Sequence, residues 1–149
     1  MINENLKLSG QLAIVLRDKH GNIKDERVEK NLVVTTGLNY IASRMKDAAA
    51  TAMTHMALGS GTTTAAASQT DLVTLLGARE VLDSTTVTAN AVAYVASFEA
   101  GDATGAVTEA GIFNASSSGT MLCRTVFSVV NKAADDTMTV TWTITLSAT

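Results

Sequence analysis

Residues 137–146 read Thr-Met-Thr-Val-Thr-Trp-Thr-Ile-Thr-Leu, an unbroken two-residue alternation. Successive side chains of a strand point to opposite faces. Met138, Val140, Trp142, Ile144 and Leu146 therefore share one face, and Thr137, Thr139, Thr141, Thr143 and Thr145 share the other. A helix would scatter the same residues around its axis, so the run predicts a strand with one buried side. Sliding it by one residue would turn every threonine inward, which fixes its register. A threonine ladder is β-branched and mildly polar, suited to a solvated surface or to contact with another polar sheet.

Four more Val/Thr-rich runs precede it, at 79–88, 91–99, 107–114 and 120–130. Short polar turns such as Ala89-Asn90 and Ser116-Ser117-Ser118-Gly119 separate them. Strands at this spacing predict a sandwich or barrel. Near the N-terminus Leu12, Ile14 and Leu16 alternate within a strand from about Lys7 to Arg17. Lys19-His20-Gly21-Asn22 then suits a tight reversal, and an extended pattern resumes over 23–34. That second arm is charged through Lys24-Asp25-Glu26-Arg27, so one of its faces meets water. Thr35-Thr36-Gly37 reads as a helix cap before Leu38, Ile41, Ala42 and Met45, predicting a short helix over 38–46. Small-residue loops at 48–52 and 59–68 flank a strand over 53–58. Thr70-Asp71 then starts a second helical turn carrying Leu72, Leu75 and Leu76, with Gly77 as its stop. The expectation is one domain over 1–149, mainly β: an antiparallel β-sandwich with one or two short helices. Within it, 1–47 form a charged hairpin plus helix, and 78–147 a five-strand antiparallel core.

A chain of 149 residues buries roughly 68–70 % of its unfolded surface, enough for one core. Hydrophobic residues at 46 % and charged residues at 17 % place it outside the disordered class. Eleven Lys+Arg against fourteen Asp+Glu leave no basic surplus for phosphates, and 4 % aromatics supply base- or sugar-stacking poorly. Direct nucleic-acid binding is therefore not expected. No apolar leader and no membrane-length apolar run occurs, so the expected site of synthesis is a cytoplasm, with no membrane partner. Proline is absent, and every turn falls to Gly, Asn, Asp or Ser. Charge is uneven: residues 1–47 hold 8 Lys+Arg and 6 Asp+Glu, residues 48–149 hold 3 and 8. These balances, +2 and −5, are consistent with the two parts meeting different neighbours.

Hydrolase, kinase and metalloprotease signatures require defined residues at defined spacing, and none is complete. Gly59-Ser60-Gly61-Thr62 has the small residues of a phosphate-cradling loop but lacks the lysine that follows in such loops. His20 and His55 stand far apart with no ligand partners at metal spacing, and Cys123, the one cysteine, sits among apolar residues as a small hydrophobe. Asn114-Ala115-Ser116 matches a glycosylation sequon without a secretory context. No catalytic, cofactor or metal site is expected, and no enzyme activity. Glu109 is different, because a charge inside the apolar run 107–114 must find a partner, and Gly111 beside it permits close backbone approach. Arg124, in the strand expected to pair across the 116–119 turn, is the candidate, giving a structural Glu109–Arg124 cross-strand pair.

Ala57-Leu58-Gly59-Ser60-Gly61-Thr62-Thr63, Ala78-Arg79-Glu80, Thr108-Glu109-Ala110-Gly111-Ile112-Phe113-Asn114, Thr120 to Phe127, and Val140-Thr141-Trp142-Thr143-Ile144 together resemble small virion structural proteins of tailed bacteriophages. The match spans about two-thirds of the chain. It departs from the group after Phe127, where Ser128-Val129-Val130 stands in place of a segment with proline. The resemblance implies a jelly-roll-like sandwich with an assembly role, transfers no catalytic residue and leaves capsid and tail positions both open. The first expectation is a capsid decoration or cement protein of the virion, bound outside the major capsid shell at capsomer junctions. Its partners would be the major capsid protein and copies of itself, as a dimer or trimer. The alternatives are a tail, collar or baseplate adaptor or fibre-attachment protein, and a carbohydrate-binding module. Termini and small-residue loops adapt to partners, so Met1, Ile2, Leu6, Leu8, Gly59, Ser60 and Gly61 are the expected contact residues.

Overall fold

The computed structural model describes residues 4–46 and 50–148. In chain order its elements are β1 (Leu6–Arg17), β2 (Ile23–Lys30), β3 (Leu32–Val33), α1 (Thr35–Arg44), β4 (His55–Gly59), β5 (Glu80–Val81), β6 (Ser84–Thr88), β7 (Ala91–Phe98), β8 (Gly105–Phe113), β9 (Met121–Lys132) and β10 (Thr137–Ala148). They form two antiparallel five-stranded sheets, a β-sandwich with one short helix. The first has the order β2-β1-β10-β7-β6 and the second β3-β9-β8-β4-β5.

The threonine-alternating strand β10 lies at the centre of the first sheet. It pairs with β1 along twelve residues, Leu6–Ala148 to Arg17–Thr137, and with β7 on its other side. Met138, Val140, Trp142 and Ile144 point into the sandwich beside Leu12, Ile14 and Leu16 of β1 and Tyr94, Ala96 and Phe98 of β7. The second sheet meets them with Met56, Leu58, Ala110, Ile112, Phe127 and Val130. Each large side chain so buried contributes about 1.5–3 kcal/mol. The N-terminal hairpin is thus integral to the sandwich, since its first arm is a central strand. Its turn is built by the Asp18 carboxylate, which accepts the backbone N–H of His20 and Asn22, and by Gly21 at φ 84°.

Three sequence expectations are corrected. The extended run 23–34 breaks at Asn31, and Leu32–Val33 crosses to pair with β9 in the other sheet. The run 79–88 splits in the same way: β5 belongs to the second sheet and β6 to the first, with Leu82 donating to Thr54 and Asp83 to Val95 at the crossing. The five-strand core expected over 78–147 is therefore six strands, β5–β10, three in each sheet. The helical turn expected at 70–76 does not form, because the Val73 and Thr74 amides are drawn to a carboxylate instead of to the preceding turn. Helix α1 starts earlier than expected, and Gly37 lies within it. A Cβ there would collide with the Leu122 carbonyl, so this glycine sets how closely the helix approaches β9.

Strand β8 is buried from Val107 to Phe113 without alternation, because both of its faces are covered. One faces the core, and the other is roofed by residues 60–76. Among the described residues, the outer face of the first sheet has no such roof.

At one end of the sandwich the Lys24 ammonium lies 2.6 Å from Asp136 Oδ2, which also accepts the Ala133 N–H. The Lys24 hydrogen bond, aided by that of Ala133, holds the Asp136 carboxyl below its ordinary 3.8. A carboxyl depressed by folding stabilises above its unfolded value, and the contribution disappears as pH falls through the lower folded value. Thermal unfolding midpoints of the native chain are therefore expected to fall as pH drops below 3.8, and Asp136→Asn to flatten that limb while lowering the midpoint at neutral pH. Equal acid slopes in the two proteins would contradict the assignment.

Candidate functional site

Glu109 and Arg124 lie on the outer face of the second sheet. Glu109 stands opposite Val126 and Arg124 opposite Gly111, which sets them diagonally adjacent on β8 and β9. Both side chains are 0 % exposed. Arg124 Nε and Nη2 donate to Glu109 Oε2 at 3.0 and 2.7 Å. Three backbone amides complete the carboxylate's shell. Gly61 and Thr74 donate to Oε1 at 2.9 and 2.7 Å, and Val73 donates to Oε2 at 3.0 Å. Arg124 Nη1 donates to the Thr63 carbonyl and to Gln69 Oε1, both at 2.9 Å.

The glycine loop is thus an anion cradle whose anion is the chain's own carboxylate. A Cβ at Gly59 would stand 2.6 Å from Glu109 Oε1. At Gly61 it would meet that oxygen and come 2.7 Å from Val73 Cβ, so both glycines are required by this close approach. Thr108 Oγ1 donates to the Gly61 carbonyl at 2.8 Å and ties the loop from the other side. Five donors on one buried carboxylate leave no lone pair facing a substrate, so the chemistry of the pair is to fasten residues 60–76 onto the second sheet.

Arg79 makes a second fastening that the sequence did not single out. Its guanidinium stacks 3.5 Å from the Phe113 ring centroid, and its Nη1 donates to the carbonyls of Ala115 and Ser118, closing the β8–β9 turn.

Of the other reactive residue types, His20 lies exposed in the first turn, and His55 Nδ1 is 2.7 Å from Thr54 Oγ1. Cys123 is buried, and burial pushes its thiol well above the usual value, away from the nucleophilic thiolate. Trp142 is fully buried and offers no platform to a sugar. Among the described residues no three of His, Cys, Asp and Glu are grouped to hold a metal.

The expected contact residues separate. Met1 and Ile2 lie outside the described residues. Leu6 is 68 % exposed on β1, whereas Leu8 packs against the core. Gly59 and Gly61 are buried in the cradle and the Ser60 N–H donates to the Thr74 carbonyl, which places all three in the roof over the second sheet.

Among the described residues, nothing covers the outer face of the first sheet. Register gives its rows: Ser9–Thr145–Ala91, Gln11–Thr143–Ala93, Ala13–Thr141–Val95 and Val15–Thr139–Ser97. Strand β6 continues three of them with Thr88, Thr86 and Ser84. No charge occurs in these fifteen positions, and the charges bordering them are Lys7 and Arg17 at the two ends of β1 and Lys30 and Glu26 at the β2 edge. A depression of about 620 Å³ along the β1 side is lined by Ser9, Gln11, Thr143 and Thr145 of the patch and by Lys7 and Lys30 at its margin. Exposed sheet faces in water usually carry Lys and Glu; an uncharged, short-chained one is suited to close contact with another surface.

The fold and site thus define a β-sandwich with one roofed sheet and one open sheet whose outer face has an uncharged central patch. Comparison with protein-family models, curated proteins and solved structures finds no match.

Proposed function

We propose that this chain is a structural protein of a tailed-phage virion, acting as a capsid decoration or cement protein that docks on the outer face of the major capsid shell and stabilises capsomer junctions. The observation that supports the reading is the four-strand uncharged face centred on the β10 threonines. Charge is depleted at the centres of protein contacts because each buried charge must be desolvated, and short threonine, serine and alanine side chains lose little rotamer freedom on contact. Each such contact is modest, but many equivalent copies on a lattice multiply it. The closed Glu109 cradle fits a role in which the molecule presents a fixed shape and reacts with nothing.

The copy number in purified particles tests this. A ratio to the major capsid subunit near one supports decoration. About six or twelve copies per particle would move the chain to the tail, collar or baseplate, and absence from particles would end the virion reading.

A further inference from the structure

We propose that β6 is a self-association edge, pairing antiparallel with β6 of a second copy to make one ten-stranded sheet from two first sheets. The proposal adds a self-contact to the assembly reading and rests on it only for purpose.

Sheet edges invite pairing, and proteins blunt them with charge, shortness or cover. Three edges here are blunted. Strand β2 carries charge at six of its eight positions, and β3 and β5 are two residues long. Arg27 also reaches from β2 to the β9 carbonyls of Ser128 and Val129, covering the stretch that β3 leaves open. On β1 the residues before Gln11 extend beyond β2, but Lys7 charges that stretch. Strand β6, Ser84-Thr85-Thr86-Val87-Thr88, is exposed throughout, uncharged, free of proline and rich in β-formers.

The hairpin fixes what β6 offers. With Ala89-Asn90 as a two-residue loop, Thr88–Ala91 is the closing hydrogen-bonded pair, so Thr86 and Ser84 also turn their N–H and C=O toward β7. Thr85 and Val87 turn theirs outward. A two-fold axis at Thr86 sets Thr85 opposite the second copy's Val87, and each such pair exchanges two backbone hydrogen bonds. Thr86 then faces its own counterpart as a non-hydrogen-bonded pair, where a charge would meet itself. Val87, 69 % exposed, lies on the inward side opposite Val92, at an apolar groove of about 360 Å³ that also includes Tyr40, Met53 and Tyr94. The second copy's strand extends the wall of that groove. Pairing uses each edge once, so the association closes at two.

A seam this short is below about 1,200 Å² and therefore weak. The test is sedimentation equilibrium of the full chain up to about 1 mM, with folding of each variant checked by circular dichroism. The native chain is expected to show a monomer–dimer equilibrium. Thr86→Lys and Thr86→Glu should each weaken it about tenfold or more, and their equimolar mixture should recover it. Thr85→Pro, which removes an outward N–H and leaves the β7 ladder intact, should weaken it as well. A native chain monomeric throughout, charged variants that dimerise normally, a mixture that does not recover, or open-ended polymers would each overturn the proposal. Those outcomes concern β6 alone, because the virion reading is decided separately by particle composition.

Discussion

Arg124→Ala is expected to remove about 3–5 kcal/mol of folding stability, a large part of the about 5–15 kcal/mol that a domain of this kind has. The substitution leaves Glu109 as a fully buried carboxylate without its cation, at a position where water does not reach. It also deletes the donors to Thr63 and Gln69, so the roof over the second sheet loses two of its ties. Glu109→Ala should cost a similar amount for a different reason, because Arg124 is orphaned and the Gly61, Val73 and Thr74 amides lose their acceptor together. Replacing both residues with leucine and methionine should recover part of the loss, since no charge is then stranded, but not all of it, since three amides still lack a partner. Urea unfolding followed by the fluorescence of the buried Trp142 measures each difference. A loss under about 1 kcal/mol for Arg124→Ala would mean that the pair does not organise residues 60–76.

Much of the sandwich was legible because strand signals are local. The alternations in β1 and β10 gave their extents almost to the residue, and Ala89-Asn90 and Ser116–Gly119 marked two of the hairpins. The Glu109–Arg124 partnership was legible for the same reason: both sit in adjacent strands joined by a recognisable turn. Illegible features depended on distant chain. That Val73 and Thr74 would turn toward a carboxylate on β8 cannot be read from a segment whose leucines have helical spacing, and the tertiary anion overrides local preference there. The Gly-Ser-Gly segment did carry an anion-binding signal, but nothing local indicated that the anion is internal. Splitting of 79–88 between sheets was hidden likewise, since Leu82 and Asp83 look like ordinary strand residues until Thr54 and Val95 arrive as their acceptors. Of the uncharged face only the β10 threonines were visible in one run; the twelve-residue pairing of β1 with β10, which joins opposite ends of the chain, assembles the rest.

The second large effect follows from that face. Thr141 lies at its centre, flanked by Ala13 and Val95, with Trp142 beside it on the buried side. A charge at 141 stays solvated in the free chain, so the fold is expected to tolerate it at a cost within about 1 kcal/mol. On a docked chain the same charge is stripped of water with no partner, which costs several kcal/mol whichever sign it has. Lysine and glutamate should therefore fail alike, whereas a surface acting through long-range attraction would reject one and favour the other. The deciding measurement is re-addition of purified protein to phage particles that lack it, comparing the native chain with Thr141→Lys and Thr141→Glu. The native chain is predicted to saturate near one copy per capsid subunit, with both variants about tenfold or more weaker; binding of either variant at native strength would contradict the assignment of this face as the contact surface.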